Sequence, residues 1–452
     1  GDPLPVSDIE IGPDGMLYFT TGGNGAEGGL FRVRYVGASP VTTPDMTGIH
    51  AVTRQAQPLS SWGYAAIEQV KARMGAAFAT ELDRVARSRA EPSEDRFRAL
   101  FEIQRHVGPP SADLLRALAT DADDQVRATV VYLAGAQKTD AAKAIAAGAL
   151  KDRHALIRRR AAEALVRQGL SPNGQPFAPV ADIYALLSDA DRFVRYAGRV
   201  ALQKMPPASW KDRALAETNA TAAMEALLAV NNVAASDADR LPILEKTIEW
   251  MRKPSLTAEQ QLNVLRMYEI ASVDRQDGAP ADIRKRAHDV LIGRFPGSDK
   301  RLNVEFAKVL AYSNQPDVID KIFAAMPTTD DTQPRPAYLR NVVSHDVSGV
   351  VGDAHAESMD YIYALRTITT GWTPAQKAKL VDWFAGTTKW RGGIGGTLSN
   401  LWQSSMPLLT DAERRAAAEK VPTLAAAALR GDRKSTRLNS SHVSESRMPS
   451  SA

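Results

Sequence analysis

The sequence predicts an all-α fold, an α–α superhelix of stacked helix pairs that follows a short N-terminal β-meander. The first observation is a spacing in which an Asp is followed by four residues, a Val or Ile, and an Arg. It occurs three times, at Asp121–Arg127, Asp152–Arg158 and Asp189–Arg195. A spacing that persists while the surrounding residues change is typical of an internal repeat, and helical repeats stack into solenoids. The second observation is a set of alternating apolar and polar residues confined to residues 1–37.

Residues 1–37 carry the signs of a β-meander. Three segments alternate or are apolar and aromatic, with turn residues between them: Val6–Ile11, Met16–Thr21 and Leu30–Val36. Three strands are too few for a domain of their own. We therefore expect the remnant of a larger β-structure, in which the side chains of Leu17, Phe19 and Phe31 are poorly covered.

Residues 38–92 are predicted to be a linker followed by one long helix. Val41–Leu59 is rich in Pro and Thr, which favours a linker. Tyr64–Arg89 combines many Ala with charged residues at helical spacing, which indicates a single amphipathic helix.

Residues 93–206 are the predicted repeat array, in which each unit is a pair of antiparallel helices. The repeated Asp stands just before the second helix, where a carboxylate can accept hydrogen bonds from free amide groups. The repeated Arg can pair with the Asp of a neighbouring unit and so form a ladder along the stack. The ladder residues are Asp121, Arg127, Asp152, Arg158, Asp189 and Arg195. The longer second step includes Ser171–Phe177, which we interpret as an inserted loop.

The remaining native sequence is also predicted to be helical. Residues 207–327 hold segments of weaker periodicity, interpreted as degenerate repeats: Ala222–Ala235, Arg240–Arg252, Ala258–Ala271, Ala281–Phe295, Lys300–Tyr312 and Pro316–Ala325. Residues 337–431 are predicted to be a C-terminal helical segment, with helices in Met359–Thr369 and Ala375–Phe384. Before the second of these, Thr373 and Pro374 indicate an N-cap and a proline at the first helical position.

Residues 432–452 differ in character from the rest of the chain. Asp432–His442 reads DRKSTRLNSSH, and both it and Ser446–Ala452 resemble the translation of a common short-read sequencing adapter. The stretch is Ser-rich and has no helical period, which is typical of a non-native, disordered tail. We expect the native sequence to be residues 1–431 and to continue beyond both ends; a natural flexible tail is the alternative.

Composition excludes several classes of function. The chain has 56 Lys and Arg against 52 Asp and Glu, and the adapter-like tail holds four of the former and two of the latter, which leaves 52 against 50. This balance gives no electrostatic case for nucleic acid or an anionic membrane. The cluster of Arg153, Arg158, Arg159 and Arg160 is accordingly interpreted as a solvated face, with Arg158 in the ladder.

Two further classes of feature are missing from the sequence. The chain has no cysteine, which excludes disulfides, thiolate metal sites, a cysteine nucleophile and a covalently attached haem within these residues. No apolar run reaches the roughly 18 residues that a membrane span needs.

Candidate metal ligands lie in one short segment. His345, Asp346, Asp353, His355 and Glu357 bring together two imidazoles and three carboxylates, donor types that Zn²⁺ or Ca²⁺ accepts. Their spacing matches no metal motif, and we prefer to interpret the segment as a solvated loop. The chain also lacks nucleophile-elbow, zinc-protease and phosphate-loop motifs, so we predict no catalytic or cofactor-binding residue.

Two parts of the sequence resemble known families. The array with its Asp and Val/Ile-Arg spacing resembles bacterial HEAT repeats. Asp8–Val33, with Gly-Pro-Asp-Gly-x-Leu-Tyr at its centre, resembles one β-propeller blade of glucose/sorbosone-type sugar dehydrogenases and of planctomycete-type membrane-bound dehydrogenases. In those proteins HEAT repeats follow the propeller, and a c-type cytochrome domain follows the repeats. The resemblance implies a periplasmic or extracellular oxidoreductase, with pyrroloquinoline quinone and haem c as its candidate cofactors outside these residues.

The expected function is therefore that of a non-catalytic scaffold or spacer in a larger propeller-containing oxidoreductase that passes electrons to a c-type haem. Its partners would be proteins, or the parent's other domains, bound through the solenoid surface. A first alternative is a free-standing HEAT adaptor, which predicts an apolar or uniformly charged stripe on the inner helices. A second is a HEAT-type lyase acting on a bilin, which would need a chromophore cleft with convergent acids.

Overall fold

The computed structural model describes residues 6–23, 26–37, 45–169, 177–327, 353–387, 390 and 395–426. These residues are mainly α-helical and begin with a three-stranded sheet, as the sequence predicts. The chain divides into two compact units, Gly1–Ala229 and Val230–Ala452. Apart from Phe177, the predicted inserted loop lies outside the described residues, and so does the adapter-like tail.

The N-terminal sheet is the predicted meander. Its strands are antiparallel in the order β1 (Val6–Ile11), β2 (Leu17–Gly23) and β3 (Ala26–Val33). The register places Phe19 opposite Phe31, and their rings stack with centroids 5.0 Å apart. Phe31 is exposed, whereas Leu17 and Phe19 are half-buried. The stacked pair thus covers Phe19 but leaves the outer strand largely in solvent.

The helices of the first unit follow one another as stacked pairs. They are α1 (His50–Thr53), α2 (Ser61–Met74), α3 (Ala77–Arg87), α4 (Ser93–His106), α5 (Ala112–Leu118), α6 (Asp124–Ala134), α7 (Asp140–Ala149), α8 (Ala155–Gln168), α9 (Val180–Ala185), α10 (Arg192–Lys204), α11 (Lys211–Leu215) and α12 (Ala220–Val233), the last of which contains the division between the units. Each of α4, α6, α8 and α10 packs against the preceding helix of its own pair, and the four helices also pack in succession, α4 on α6, α6 on α8 and α8 on α10. Such consecutive packing is the solenoid architecture. We call α4, α6, α8 and α10 the second helices.

One apolar core runs through successive pairs. Val52 of α1, Leu82 of α3, Leu100 of α4, Leu114 of α5 and Leu133 of α6 are buried in one cluster. Burying such a side chain stabilises the fold by about 1.5–3 kcal/mol. Because each helix from α1 to α7 contributes to this cluster, neighbouring pairs stabilise one another.

The predicted long helix Tyr64–Arg89 is two helices, α2 and α3. The break falls at Gly75, whose φ of +57° lies in the left-handed region and ends α2. Glycine adopts this conformation without the Cβ clash that other residues suffer, which makes it a common helix terminator. The prediction gave too little weight to this glycine because the Ala-rich helical period continues on both sides.

The second unit repeats the pairwise arrangement. Its helices are α13 (Asp237–Met251), α14 (Ala258–Val273), α15 (Ala281–Leu291), α16 (Lys300–Tyr312), α17 (Val318–Ala325), α18 (Asp353–Leu365), α19 (Pro374–Gly386), α20 (Gly395–Ser405) and α21 (Asp411–Lys420). The helices α14, α16 and α18 pack in a row, and α13 packs against α15. The predicted cap is confirmed, since the Thr373 hydroxyl accepts from the Gln376 amide and Pro374 begins α19. Helix α18 begins and ends earlier than the predicted Met359–Thr369.

The close approach of α6 and α8 depends on a missing side chain at Gly135. Its backbone is helical, but a Cβ there would lie 2.8 Å from the Cα of Ala164 in α8. We expect Gly135→Ala to lower the free energy of unfolding by about 1–3 kcal/mol, because the two helices would have to separate. In the matched control, Gly148→Ala in α7, a Cβ meets nothing within 4 Å.

The control is expected to raise the free energy of unfolding by about 0.5–1 kcal/mol, since alanine favours a helix over glycine. Urea denaturation followed by circular dichroism measures both variants. Equal effects of the same sign in the two variants would contradict the steric explanation.

Candidate functional site

The repeated arginines and aspartates lie in contact along the second helices. Arg127 donates from Nε to Asp152 Oδ2 at 2.9 Å and from Nη2 to Asp152 Oδ1 at 3.1 Å. One unit further, Arg158 donates from Nε to Asp189 Oδ2 at 2.7 Å. Each guanidinium therefore joins its own unit to the Asp of the next. The two parallel hydrogen bonds of Arg127 also fix the orientation of the two side chains, in addition to the charge attraction.

The same guanidinium groups also hold the loop that precedes their own helix. Arg127 Nη1 donates to the carbonyl oxygens of Asp121 and Ala122 at 2.8 and 3.0 Å. Arg158 and Arg195 make the corresponding pair of bonds to the carbonyls six and five residues before them. The six-residue spacing between Asp and Arg therefore has two structural causes. The Arg must reach the backbone of the loop before its own helix, and it must also reach the Asp of the next unit.

The helix caps lie two residues after the repeated Asp. Asp121 and Asp189 accept hydrogen bonds from the amides of Asp123 and Asp191, at 3.0 and 2.9 Å. It is Asp123 and Asp191 that cap α6 and α10, since each accepts from two amides of the first turn. His154, at the same position before α8, makes no side-chain cap bond. The repeated Asp therefore fixes the conformation of the loop. The residue two positions after it caps the helix when that residue is an Asp, as in α6 and α10.

The row of ion pairs extends beyond the predicted residues toward the N-terminus. Arg96 donates to Asp121 from Nη1 at 3.1 Å and from Nη2 at 2.5 Å, and both side chains are buried. Arg54 donates to Asp95 from Nε and Nη2 at 2.8–3.1 Å. The repeat pattern could not reveal these pairs, because the residue six positions before Arg96 is Ala90.

Toward the C-terminus, the acid partner changes from Asp to Glu. Arg195 Nε lies 3.6 Å from Glu225 of α12, and Arg199 Nη1 donates to the same carboxylate at 2.6 Å. Glu225 is outside the repeated spacing, so no sequence pattern marked it. We call the whole row, from Arg54–Asp95 to Arg195–Glu225, the ion-pair ladder.

Ion pairing favours the ionised state of two ladder carboxylates, Asp121 and Asp152. Burial acts to raise the pKa of Asp121, but hydrogen bonds from Arg96 and from the Asp123 amide outweigh it and lower that pKa. The pKa of Asp152 is lowered in the same way by Arg127. Consequently the ladder keeps its charge pairs at neutral pH.

Aromatic rings and guanidinium groups alternate on the solvent side of the second helices. Phe193 and Tyr196 of α10 are 49% and 58% exposed. The guanidinium groups of Arg159 and Arg192 lie over the Phe193 ring, 5.6 and 4.8 Å from its centroid. That of Arg199 lies 5.1 Å from the centroid of Tyr196. Such cation–π contacts link α8 with α10 and hold exposed rings in place.

The same arrangement continues on α4, α6 and α8. Tyr132 lies between Arg160 and Arg167, each 4.9 Å from the ring centroid, and its ring is 5.9 Å from that of Phe101. A groove of about 380 Å³ opens here, lined in part by Phe97, Phe101, Tyr132, Leu156 and Arg160. We call the surface formed by these and the preceding rings the aromatic–arginine face. It consists of Phe97, Phe101, Tyr132, Leu156, Arg159, Arg160, Arg167, Arg192, Phe193, Tyr196 and Arg199.

The aromatic–arginine face carries excess positive charge. Arg159 and Arg160 share one carboxylate, that of Glu163, at 2.7 and 3.5 Å. The Arg167 side chain instead donates to a backbone carbonyl of Tyr132. The sequence had suggested only a solvated face for Arg159 and Arg160. The sequence signal for this face is the recurrence of aromatic residues on successive second helices. The sequence analysis missed it because these residues are not part of the Asp and Val/Ile-Arg spacing.

The predicted metal candidates are only partly described. His345 and Asp346 lie outside the described residues, and so does the side chain of Asp353. His355 packs against Trp390 with ring centroids 3.9 Å apart. Glu357 instead accepts from the Tyr361 hydroxyl at 3.4 Å and lies 3.8 Å from Lys300. His355 and Glu357, which the sequence suggested as ligands of one metal ion, therefore contact different residues in the structure.

A different trio of possible ligands occurs at α1. Among the described residues, His50, Glu91 and Asp95 place one ligand atom each within 4.8 Å of one another. Asp95, however, already binds the Arg54 guanidinium and the Thr53 hydroxyl. Because the positive charge of Arg54 opposes a cation at this point, we assign no metal site here.

Comparison with known proteins leaves the chain without a family. No family model matches it, and no curated protein matches it. Its structure is similar to the crystal structure of an engineered protein, with 15% identity over 84% of this chain and 99% of that one and a TM-score of 0.32. A score this low carries no argument about function, so the solenoid assignment depends on the helix contacts. In the part of the chain that the structure describes, no helix has the length and apolar character needed to cross a bilayer.

Proposed function

We propose that the chain is a non-catalytic HEAT-type scaffold whose aromatic–arginine face binds a protein partner. The observation that carries the proposal is the line of rings and guanidinium groups across four consecutive second helices, in which the rings are half-buried on α4 and α6 and exposed on α10. Tyr, Phe and Arg are enriched at protein interfaces, and Tyr and Arg dominate binding hot spots. Their concentration on one face favours recognition of a protein segment.

The ion-pair ladder supports the proposal by keeping that face in order. In α6 and α8, the guanidinium that joins the helix to the next unit also holds the loop before its own helix, as Arg127 and Arg158 show. A face of rigid helices loses little conformational entropy when a partner binds, and this favours affinity.

The charge of the face indicates the chemistry of the partner. Three arginines of α8, Arg159, Arg160 and Arg167, are accompanied by the single carboxylate of Glu163. A segment with Asp or Glu side chains and one or two apolar anchors would match this charge and fill the groove. The proposal therefore names an acidic, partly apolar protein segment as the partner.

Selection of random peptides on the full chain tests this proposal. We expect the enriched peptides to be acidic, and we expect the double variant Phe193→Ala/Tyr196→Ala to weaken their binding about tenfold or more, as removal of aromatic hot spots does. The stability of the variant should change by less than about 0.5 kcal/mol for each exposed ring. Fluorescence anisotropy of labelled peptides measures the affinity.

The matched control is Val107→Ala. Val107 is 49% exposed, like Phe193, but lies outside the aromatic–arginine face. Peptide binding should be unchanged in this variant. Peptides without acidic residues, or peptides that bind the double variant as tightly as the parent chain, would rule the proposed face out.

A finer proposal makes this scaffold a spacer within a larger oxidoreductase of the sugar-dehydrogenase type, which passes electrons to a c-type haem in the periplasm or outside the cell. The N-terminal sheet supports it, since Leu30, Tyr35 and Val36 are exposed as they would be at a surface awaiting neighbouring strands. Long-read sequencing of the gene tests it. Further blade sequences before residue 1 and a CxxCH codon run soon after residue 431 are expected, and a gene without either would exclude this parent.

A further inference from the structure

A cavity of about 440 Å³ lies among α14, α16 and α18 in the second unit. Its wall includes three tyrosines and several apolar side chains, among them Tyr268, Val273, Val309, Tyr312 and Tyr363. The charged residues of the wall are Arg266, Glu269, Asp274 and Lys308. A largely apolar cavity with a few polar groups is the usual form of a small-molecule site.

The carboxylates of Glu269 and Glu305 lie side by side, and Glu269 belongs to the cavity wall. Glu269 Oε2 accepts from Arg266 Nη1 at 3.1 Å, and Glu305 Oε1 accepts from Lys308 Nζ at 2.8 Å. The other oxygen of each carboxylate is buried and meets no protein donor among the described residues, so the two carboxylates can bond to each other only when one of them holds a proton. Burial and the neighbouring carboxylate of Glu305 together raise the pKa of Glu269 to about 7.

Acids outnumber bases around this pair. Helix α14 contributes Arg266 and Glu269, helix α16 contributes Glu305 and Lys308, and helix α18 contributes Glu357 and Asp360. The pKa of Asp360 is also raised, chiefly by burial. The group therefore favours an added positive charge, which is a proton unless a bound cation supplies it.

Tyr268 gives an independent indication of a ligand. The residue lines the cavity and is 1% exposed, and its buried hydroxyl lies near the Ser272 side chain but makes no well-formed hydrogen bond among the described residues. The hydroxyls beside it are engaged, because Ser272 donates to the Tyr268 carbonyl and Tyr312 accepts from the Ala279 amide at 2.8 Å. Buried hydroxyls are normally satisfied, so an unpartnered one at a cavity wall points to a missing bound group.

We propose that this cavity binds a small organic ammonium ion, with the cation held by Glu269, beside Glu305, and its apolar body held against the tyrosine wall. The ammonium replaces the proton, because it supplies both a positive charge and hydrogen-bond donors for the Glu269 carboxylate. Aromatic faces add a cation–π contribution at the same time. An anion would meet repulsion from the carboxylates, and a neutral ligand would not supply the charge that replaces the proton.

Isothermal titration calorimetry of the full chain with 2-phenylethylamine tests this assignment. We expect binding that is about tenfold or more tighter near pH 8 than near pH 5.5, because Glu269 must lose its proton to pair with the ammonium. Buffers of different ionisation enthalpy should reveal a proton released on binding. The neutral analogue 2-phenylethanol and the anion phenylacetate should bind at least tenfold more weakly near pH 8.

Two variants complete the test. Glu269→Gln should abolish the pH preference and weaken 2-phenylethylamine to the level of 2-phenylethanol. The control Glu249→Gln alters a glutamate of the same unit that is 57% exposed and paired with Lys246, and it should bind like the parent chain. The assignment fails if 2-phenylethylamine does not bind, if it binds no better than 2-phenylethanol, or if Glu269→Gln binds it as tightly as the parent chain.

Discussion

Replacing Asp121 by alanine is expected to lower the free energy of unfolding of the first unit by about 3–5 kcal/mol. Arg96 and Asp121 have side chains that are 5% and 4% exposed, and two hydrogen bonds join them. Without its partner, Arg96 would keep a positive charge out of water with no counter-charge. Removing one member of a buried pair is therefore far more costly than the net value of the pair itself.

Urea denaturation and amide hydrogen exchange of α4 and α6 measure this loss. The double variant Arg96→Met/Asp121→Ala should recover much of it, since an apolar side chain then occupies the buried position without charge. The control Glu94→Ala breaks the exposed pair with Arg98 and should cost about 0.5 kcal/mol or less. A single Asp121→Ala variant as stable as this control would show that the ladder does not stabilise the stack.

Replacing Glu269 by glutamine is expected to stabilise the second unit at pH 8 by up to about 3 kcal/mol. Burial, aided by Glu305, raises the pKa of Glu269 from its ordinary 4.5 to about 7. Because the folded state holds this proton more tightly than the unfolded state, its stabilising effect is complete below pH 4.5 and is lost as the pH rises through about 7. A shift of this size corresponds to on the order of 3 kcal/mol at 1.36 kcal/mol per pKa unit.

The pH dependence distinguishes this effect from a general gain in packing. Thermal or urea unfolding of the parent chain should show stability falling between about pH 4.5 and pH 7, and Glu269→Gln should lack that slope because its amide does not titrate. Glu249→Gln, at an exposed position, should leave the slope unchanged. An unaltered slope in Glu269→Gln would mean that another carboxylate, such as Asp360, holds the proton.

The sequence correctly predicted the structural features that depend only on residues close together in the chain. The Thr373–Pro374 start of α19 needs only a hydroxyl and a ring at adjacent positions, and the structure places both as predicted. The three strands of the meander likewise follow from alternation over a few residues. Gly75 shows the limit of this reasoning, because its ending of α2 competed with a helical period that continued past it.

The ion-pair ladder was predicted only in part from the sequence. A repeated spacing indicated Arg127 and Arg158, and the structure brings each of them to the Asp of the next unit. Arg96 and Arg54 occupy equivalent positions without the spacing. Their partners lie 25 and 41 residues away, and no local pattern connects residues so far apart unless the repeat is regular.

The sequence alone determined the class of fold, the pairing of helices and the identity of the repeated charges, because each of these is specified by residues within one or two helical turns or one repeat. Only the tertiary structure decided which rings and guanidinium groups share the aromatic–arginine face, and which helices enclose Glu269, Glu305 and Tyr268. The physical reason is that a face or a cavity is formed by residues from different helices, whose relative positions are set by packing across the whole stack. Burial then raises the pKa of Glu269 and so determines its charge state. The burial of this residue cannot be predicted from its neighbours in the sequence.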